Sequence, residues 1–135
     1  MSLEKAGFAT FITIKDMDRA LKFYTKTLGA KHVTRAPGEM KDSWASFKIG
    51  GEEFWLVNPP GKQAKKPDLA FFTFVVKNVQ QTVSALQKKG AKFWKAEKMG
   101  DDTKIEGVVA TDAFGSTAFF SDTEDNLLML WQNAA

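Results

Sequence analysis

The chain has no cysteine, one histidine and one tyrosine among 135 residues. Without cysteine there are no disulfides, no thiolate metal centres and no cysteine nucleophile, which fits a cytoplasmic protein. Long apolar runs are also missing. None approaches the roughly 18 residues of a membrane span, and no charged segment with an apolar stretch behind it opens the chain, so neither a span nor a secretory leader is expected. Charge of one sign is scarce, with a formal net charge of +3. The one basic cluster, Lys62, Lys65 and Lys66, sits beside Pro59, Pro60 and Pro67. It reads as a solvated linker, and neither nucleic acid nor a membrane is expected as a partner.

Several chemistries lack their parts. No G-x-S-x-G elbow occurs, and no Ser/His/Asp set can be placed. Gly50-Gly51 is not followed by a helical pattern, so it is no phosphate loop. Glu52 and Glu53 are neighbours on a strand and point to opposite faces, which prevents them from acting together as acid and base. The lone His32, beside Lys31, reads as a surface or strand-end residue. No catalytic residue is assigned.

What is present is a surplus of aromatics, 12 Phe and 4 Trp, and a repeat. The stretch Ala9–Met17, ATFITIKDM, is echoed by Phe71–Val79, FFTFVVKNV. Each is an apolar, β-branched run, then Lys, then Asp16 or Asn78. Each leads into an amphipathic segment that closes on the same triplet, Gly29-Ala30-Lys31 and Gly90-Ala91-Lys92. The period is about half the chain, which indicates one duplicated unit.

The pattern predicts a strand over Phe8–Ile14 and a helix capped by Asp16, with Met17, Ala20, Leu21, Tyr24 and Leu28 on one face and Gly29 at its end. Strands follow at His32–Arg35, Trp44–Ile49 and Glu53–Val57, the last two joined by a Gly50-Gly51 hairpin turn. The second half predicts a strand over Leu69–Val76 and a helix from Asn78 to Gly90 with Val79, Val83 and Leu86 inward. A short strand over Lys92–Ala96, a polar loop at Gly100–Thr103 and an ambiguous extended stretch over Ile105–Thr111 come next. A closing hairpin joins Thr117–Ser121 to Leu127–Trp131. The class is α+β: one domain over residues 1–135, built of βαβββ modules at 8–58 and 69–131 with a linker at 59–68.

A tandem βαβββ pair with the segment DMDRALKFYTKTLG, Asp16 to Gly29, resembles the vicinal oxygen chelate superfamily. That group includes glyoxalase I, the extradiol dioxygenases and the bleomycin resistance proteins. The Phe23-Tyr24 pair before Leu28-Gly29 is one of its more specific signals. The tail FFSDTEDN, Phe119 to Asn126, is similar to its closing Asp-Pro-Asp-Gly-Asn turn, with Thr123 and Asp125 departing from Pro and Gly. The resemblance runs from Phe8 to Trp131. It implies that each module curls into a U-shaped half-barrel. In the metal-using members it also implies a divalent ion held by His, Gln or Glu at four strand positions.

Transferred by the motif, those four positions fall on Ala9, on Trp55 or Val57, on Phe71 and on Met129. None supplies a nitrogen or oxygen donor of the kind a hard or borderline divalent ion takes, so no metal and no cofactor is expected. Strand alternation then gives an apolar lining of Ala9, Phe11, Thr13, Trp55, Val57, Phe71, Thr73, Leu127, Met129 and Trp131. Ile12, Ile14, Phe72, Phe74 and Val76 face the helices. The resemblance implies a bleomycin-resistance-like protein that sequesters a planar aromatic drug or metabolite. The alternative is an enzyme of the same superfamily, a lyase, isomerase or dioxygenase, with displaced metal ligands or a metal-free mechanism. A homodimer is expected, with the cleft within one chain or between two.

Overall fold

The computed structural model describes residue 4 and residues 10–58, 72–98 and 100–135. Ala9, Phe71 and the expected linker at 59–68 lie outside the described residues. The chain divides into two compact units, Met1–Gln63 and Ala64–Ala135.

In the first unit, strand β1 (Phe11–Thr13) leads into helix α1 (Met17–Lys22). Asp16 caps α1 as its position predicts: its Oδ1 accepts the Arg19 N–H at 3.0 Å, satisfying an N-terminal donor the helix leaves free. The helix widens into a π turn over Phe23–Thr27. It stops at Gly29, whose φ of 76° suits a residue without a Cβ. Strands β2 (Lys31–Arg35), β3 (Trp44–Ile49) and β4 (Glu52–Val57) follow. The sheet order is β1-β4-β3-β2. Strand β1 runs parallel to β4, with Phe11 opposite Trp55 and Thr13 opposite Val57, and the other pairs are antiparallel.

One face of this sheet is covered. Ile12, Ile14, Ala45, Phe47, Phe54 and Leu56 are buried there, with Met17, Ala20, Phe23 and Tyr24 of the helix. Tyr24, fully buried, has its ring centroid 5.4 Å from Phe23, 5.5 Å from Phe54 and 6.2 Å from Phe47. These tilted and edge-on contacts suit the ring quadrupole. The Phe23-Tyr24 pair is thus the helix's contribution to the core.

The second unit repeats the plan. Strand β5 (Phe72–Val75) leads into α2 (Val79–Lys88), capped by Asn78, whose Oδ1 accepts from the Gln81 N–H at 3.0 Å. The Val79 N–H donates to Gln132 Oε1 at 2.9 Å, which ties the start of the helix to the last strand. Gly90 ends the segment at φ 93°. The remaining strands are β6 (Lys104–Glu106), β7 (Val109–Thr111), β8 (Gly115–Ser121) and β9 (Leu127–Asn133), in the order β5-β9-β8-β7-β6. Strand β5 is parallel to β9, with Thr73 opposite Met129 and Val75 opposite Trp131. Val79, Val83, Ala118, Phe120, Leu128 and Leu130 are buried. Phe72 and Phe74 are only half-buried.

Two sequence expectations change here. The strand expected at Lys92–Ala96 is a single bridge, Phe93 to Phe120, with the Trp94 N–H donating to the Phe119 carbonyl at 2.8 Å. The ambiguous stretch over Ile105–Thr111 is a hairpin, β6 and β7, turning at Gly107 with φ 63°. The two changes have one cause. Strand β7 pairs Ala110 with Thr117 and Thr111 with Ser116, so the edge of β8 beyond the bridge is already occupied. The closing turn agrees with its motif. Asp125 takes φ 65°, and the Asp122 carboxylate accepts from the Glu124 N–H, the Asn126 N–H and Asn126 Nδ2 at 2.7–2.8 Å.

The two modules re-enter their sheets at equivalent residues. His32, after Gly29-Ala30-Lys31, lies opposite Phe47, and Phe93, after Gly90-Ala91-Lys92, lies opposite Phe120. Among the described residues no helix is long and apolar enough to cross a membrane.

Gly115 is the tightest approach in the second sheet. A Cβ there would lie 2.2 Å from the Gln132 carbonyl oxygen and 2.9–3.0 Å from Cζ2 and Cη2 of Trp131. We therefore expect Gly115→Ala to lower stability by about 1–3 kcal/mol, the usual cost of overpacking, read as a lower urea midpoint at unchanged slope. Gly29→Ala, which meets strain but no neighbour, should cost less.

Candidate functional site

The helices cover one face of each sheet, and alternation sends the other side chains to the open face. In the first unit that face carries Phe11 and Thr13 from β1, Trp55 and Val57 from β4, and Trp44 and Ser46 from β3. Phe11 is 59% exposed. Its ring centroid lies 6.2 Å from that of Trp55, which lies 5.4 Å from that of Trp44. The result is a row of aromatic rings running across the strands.

In the second unit the open face carries Thr73 and Val75 from β5, Leu127, Met129 and Trp131 from β9, and Thr117, Phe119 and Ser121 from β8. A cavity of about 230 Å³ opens here, lined by Trp94, Lys95, Ala96, Glu97, Val108, Ala110, Thr117, Phe119 and Leu127. Trp94 Nε1 donates to Ser121 Oγ at 2.8 Å, and Trp131 Nε1 donates to Asn133 Oδ1 at 2.8 Å. Both indoles therefore have their polar edge satisfied within the protein, and their flat faces are what remains for contact.

All four tryptophans, Trp44, Trp55, Trp94 and Trp131, lie on these open faces or in this cavity. The helix-side cores use Tyr24, Phe47, Phe54, Phe120 and aliphatic residues instead. Of the lining expected from sequence, Phe11, Thr13, Trp55 and Val57 share one face of the first sheet, and Thr73, Leu127, Met129 and Trp131 share one face of the second. Ala9 and Phe71 lie outside the described residues. Among the described residues of the expected lining, Leu127 borders the cavity. Trp44, Ser46, Trp94, Thr117 and Phe119 were not anticipated. Alternation along β3 and β8 carries that signal for Trp44, Ser46, Thr117 and Phe119, once the hairpin registers are known. Trp94 depends on the single bridge at Phe93 and has no sequence signature.

The strand pairing aligns the two modules at Trp55 and Met129. The repeat places Phe11 on Thr73. The residue opposite Phe11 is Trp55, and the residue opposite Thr73 is Met129. Trp55 and Met129 are thus equivalent positions of the two modules. An indole offers a divalent ion no lone pair, and a thioether is a soft, weak ligand. Glu53, on the Trp55 face, is one exposed carboxylate. Among the described residues no group of three His, Cys, Asp or Glu side chains is placed to hold a metal ion. The described donors at these positions do not fit a hard or borderline divalent ion.

His32 packs. Its ring stacks on Phe47 with centroids 5.2 Å apart, and Nε2 lies 3.0 Å from the Thr34 carbonyl oxygen. Phe93 stands 4.9 Å from Phe120 at the equivalent point of the second unit, so both modules place a flat ring at this position.

Comparison with known proteins points the same way as the fold. The profile of the Glyoxalase/Bleomycin resistance protein/Dioxygenase superfamily matches residues 8–130. No curated protein matches the chain. Among solved structures, the chain is similar to TnmS3, an antibiotic binding protein from Streptomyces sp. CB03234, with 20% identity, a TM-score of 0.66, and coverage of 95% of this chain and 97% of that one. It is also similar to FosX, a genomically encoded fosfomycin resistance protein from Listeria monocytogenes, with 14% identity, a TM-score of 0.71, and coverage of 96% and 92%. A glyoxalase/bleomycin resistance protein/dioxygenase from Alicyclobacillus acidocaldarius has 18% identity, a TM-score of 0.67, and coverage of 95% and 91%.

Proposed function

We propose, from the premise that the chain belongs to the Glyoxalase/Bleomycin resistance protein/Dioxygenase superfamily, that it is a metal-free small-molecule binding protein. It sequesters a planar aromatic drug or metabolite against the open faces of its sheets. The observation that carries this reading is the segregation of the tryptophans: all four lie on the faces the helices leave open. Rings without a core to fill are suited to stack on a flat ligand, each good contact contributing about 0.5–1.5 kcal/mol beyond the buried area. TnmS3, with a similar fold, is an antibiotic binding protein, which supports the same class of activity. The net charge of +3 favours a neutral or anionic ligand over a cationic one.

The lining in this reading is the set expected from sequence, Phe11, Thr13, Trp55, Val57, Thr73, Leu127, Met129 and Trp131, extended by Trp44, Trp94 and Phe119. Thr13, Thr73 and Thr117 supply sparse polar contacts, as in most ligand pockets. The working unit is a cytoplasmic homodimer, since β1, β2, β5 and β6 are edge strands of their sheets and exposed edges call for cover.

Three outcomes are expected. Protein purified without chelator should carry no stoichiometric Ni, Zn, Fe or Mn by elemental analysis. One equivalent held by side chains would favour an enzyme with displaced ligands. Tryptophan fluorescence titrated with flat aromatic antibiotics and metabolites should quench saturably, and Trp55→Ala or Trp131→Ala should weaken binding by about 1–3 kcal/mol where the ring is a hot spot. Unchanged affinity in both variants would put the site elsewhere. Sedimentation should show a dimer, and a monomer at high concentration would contradict the proposed working unit.

A further inference from the structure

The open face of the first sheet holds one group that its stacking rings do not explain. Ser46 is 0% exposed, and among the described residues its hydroxyl has no hydrogen-bond partner. Buried polar groups are nearly always paired, because an unpaired one forfeits the hydrogen bonds that water gave it. Ser46 lies directly opposite Trp55, so the two side chains share a face, and alternation along β3 puts Trp44 on that face as well.

The repeat shows that this position need not be polar. Ser46 lies opposite Trp55 as Phe119 lies opposite Met129, and Trp55 and Met129 are equivalent. The same point of the second sheet therefore carries Phe119, a wall of the cavity there. Phenylalanine satisfies the fold at that point, and serine leaves a hydrogen bond unmade. What serine adds is a buried donor and acceptor between Trp55 on one neighbouring strand and Thr34 on the other, with Trp44 on the same face.

We infer that Ser46 is a specificity residue, and that the ligand is a flat aromatic carrying a hydroxyl or carbonyl oxygen at its ring edge. The inference rests on the binding role proposed above. Stacking on Trp44 and Trp55 accepts any flat ring, whereas a buried hydroxyl distinguishes rings by their edge, since a site prepared for a hydrogen bond rejects the analogue that cannot make it. With the hydroxyl fully buried, the ligand reaches it only when a neighbouring side chain turns aside. Its neighbours on this face are the half-buried indoles of Trp44 and Trp55 and the exposed Thr34. The unpaired group also lowers the stability of the free protein, so the same residue should oppose stability and favour binding.

The test uses the full chain with two probes of matched shape, 2-naphthol and 2-methylnaphthalene, titrated by ligand-observed NMR. The wild type should prefer 2-naphthol by roughly three- to tenfold, the range of one net hydrogen bond. Ser46→Ala should lose that preference and unfold at a higher urea concentration than the wild type. Ser46→Cys, close in shape and a weak hydrogen-bonding group, should behave as the alanine variant does and covers the case in which alanine fails to fold. A preference for 2-naphthol that persists in both variants would overturn the role of Ser46 while leaving the binding reading intact. If the wild type binds neither probe, the binding reading fails for this face, and the inference fails with it. A urea midpoint that falls in both variants would mean the hydroxyl is paired in the free protein, which also overturns it.

Discussion

The constraint on which each module depends is the parallel pairing of its first strand with its last. Strand β1 lies beside β4, and β5 beside β9, with all other neighbours antiparallel. Parallel neighbours cannot be joined by a tight turn, so the chain must cross over. It does so through a helix laid on one face of the sheet. The local devices serve this crossover: Asp16 and Asn78 start the helices, and Gly29 and Gly90 end them. The shared Gly-Ala-Lys triplet then delivers His32 and Phe93 to equivalent points on the far side of the sheet.

Once the helix has chosen a face, the chemistry of the other follows. Period-two alternation divides every strand between a covered and an open side. The covered sides bury Ile14, Leu56, Phe120 and Leu128 almost completely. The open sides receive the tryptophans, Thr13, Thr73 and Thr117, Met129 and the unpaired Ser46. The parallel register also aligns the modules internally: Trp55 in one answers to Met129 in the other. At these equivalent positions one module carries an indole and the other a thioether. The open faces are furnished largely with aromatic rings.

Much of this was legible in the sequence, because the repeat is local and its signals are strong. The two caps, the two terminating glycines, the Gly50-Gly51 turn and the sides taken by Ile12, Ile14, Trp55 and Met129 all follow from short-range pattern. What escaped depends on contacts far apart in the chain. Lys92–Ala96 has the alternation of a strand, yet only Phe93 pairs, since β7 takes the rest of the β8 edge. That Trp55, and not Val57, answers to Met129 needed the residue opposite Phe11, which is a matter of register. Ser46 looked unremarkable as one serine in WASFKI. Its meaning lies in being buried, unpaired and directly opposite Trp55.

The central claim is that the open, tryptophan-bearing faces are the binding surface, and the indole N–H resonances of ¹⁵N-labelled protein test it most directly. There are four tryptophans in the chain, and each reports on an open face or on the cavity beside it. Titration with a flat aromatic ligand that saturates the protein should shift these indole signals along a saturable curve. Saturation of the protein by such ligands with all four indole resonances unmoved would contradict the account.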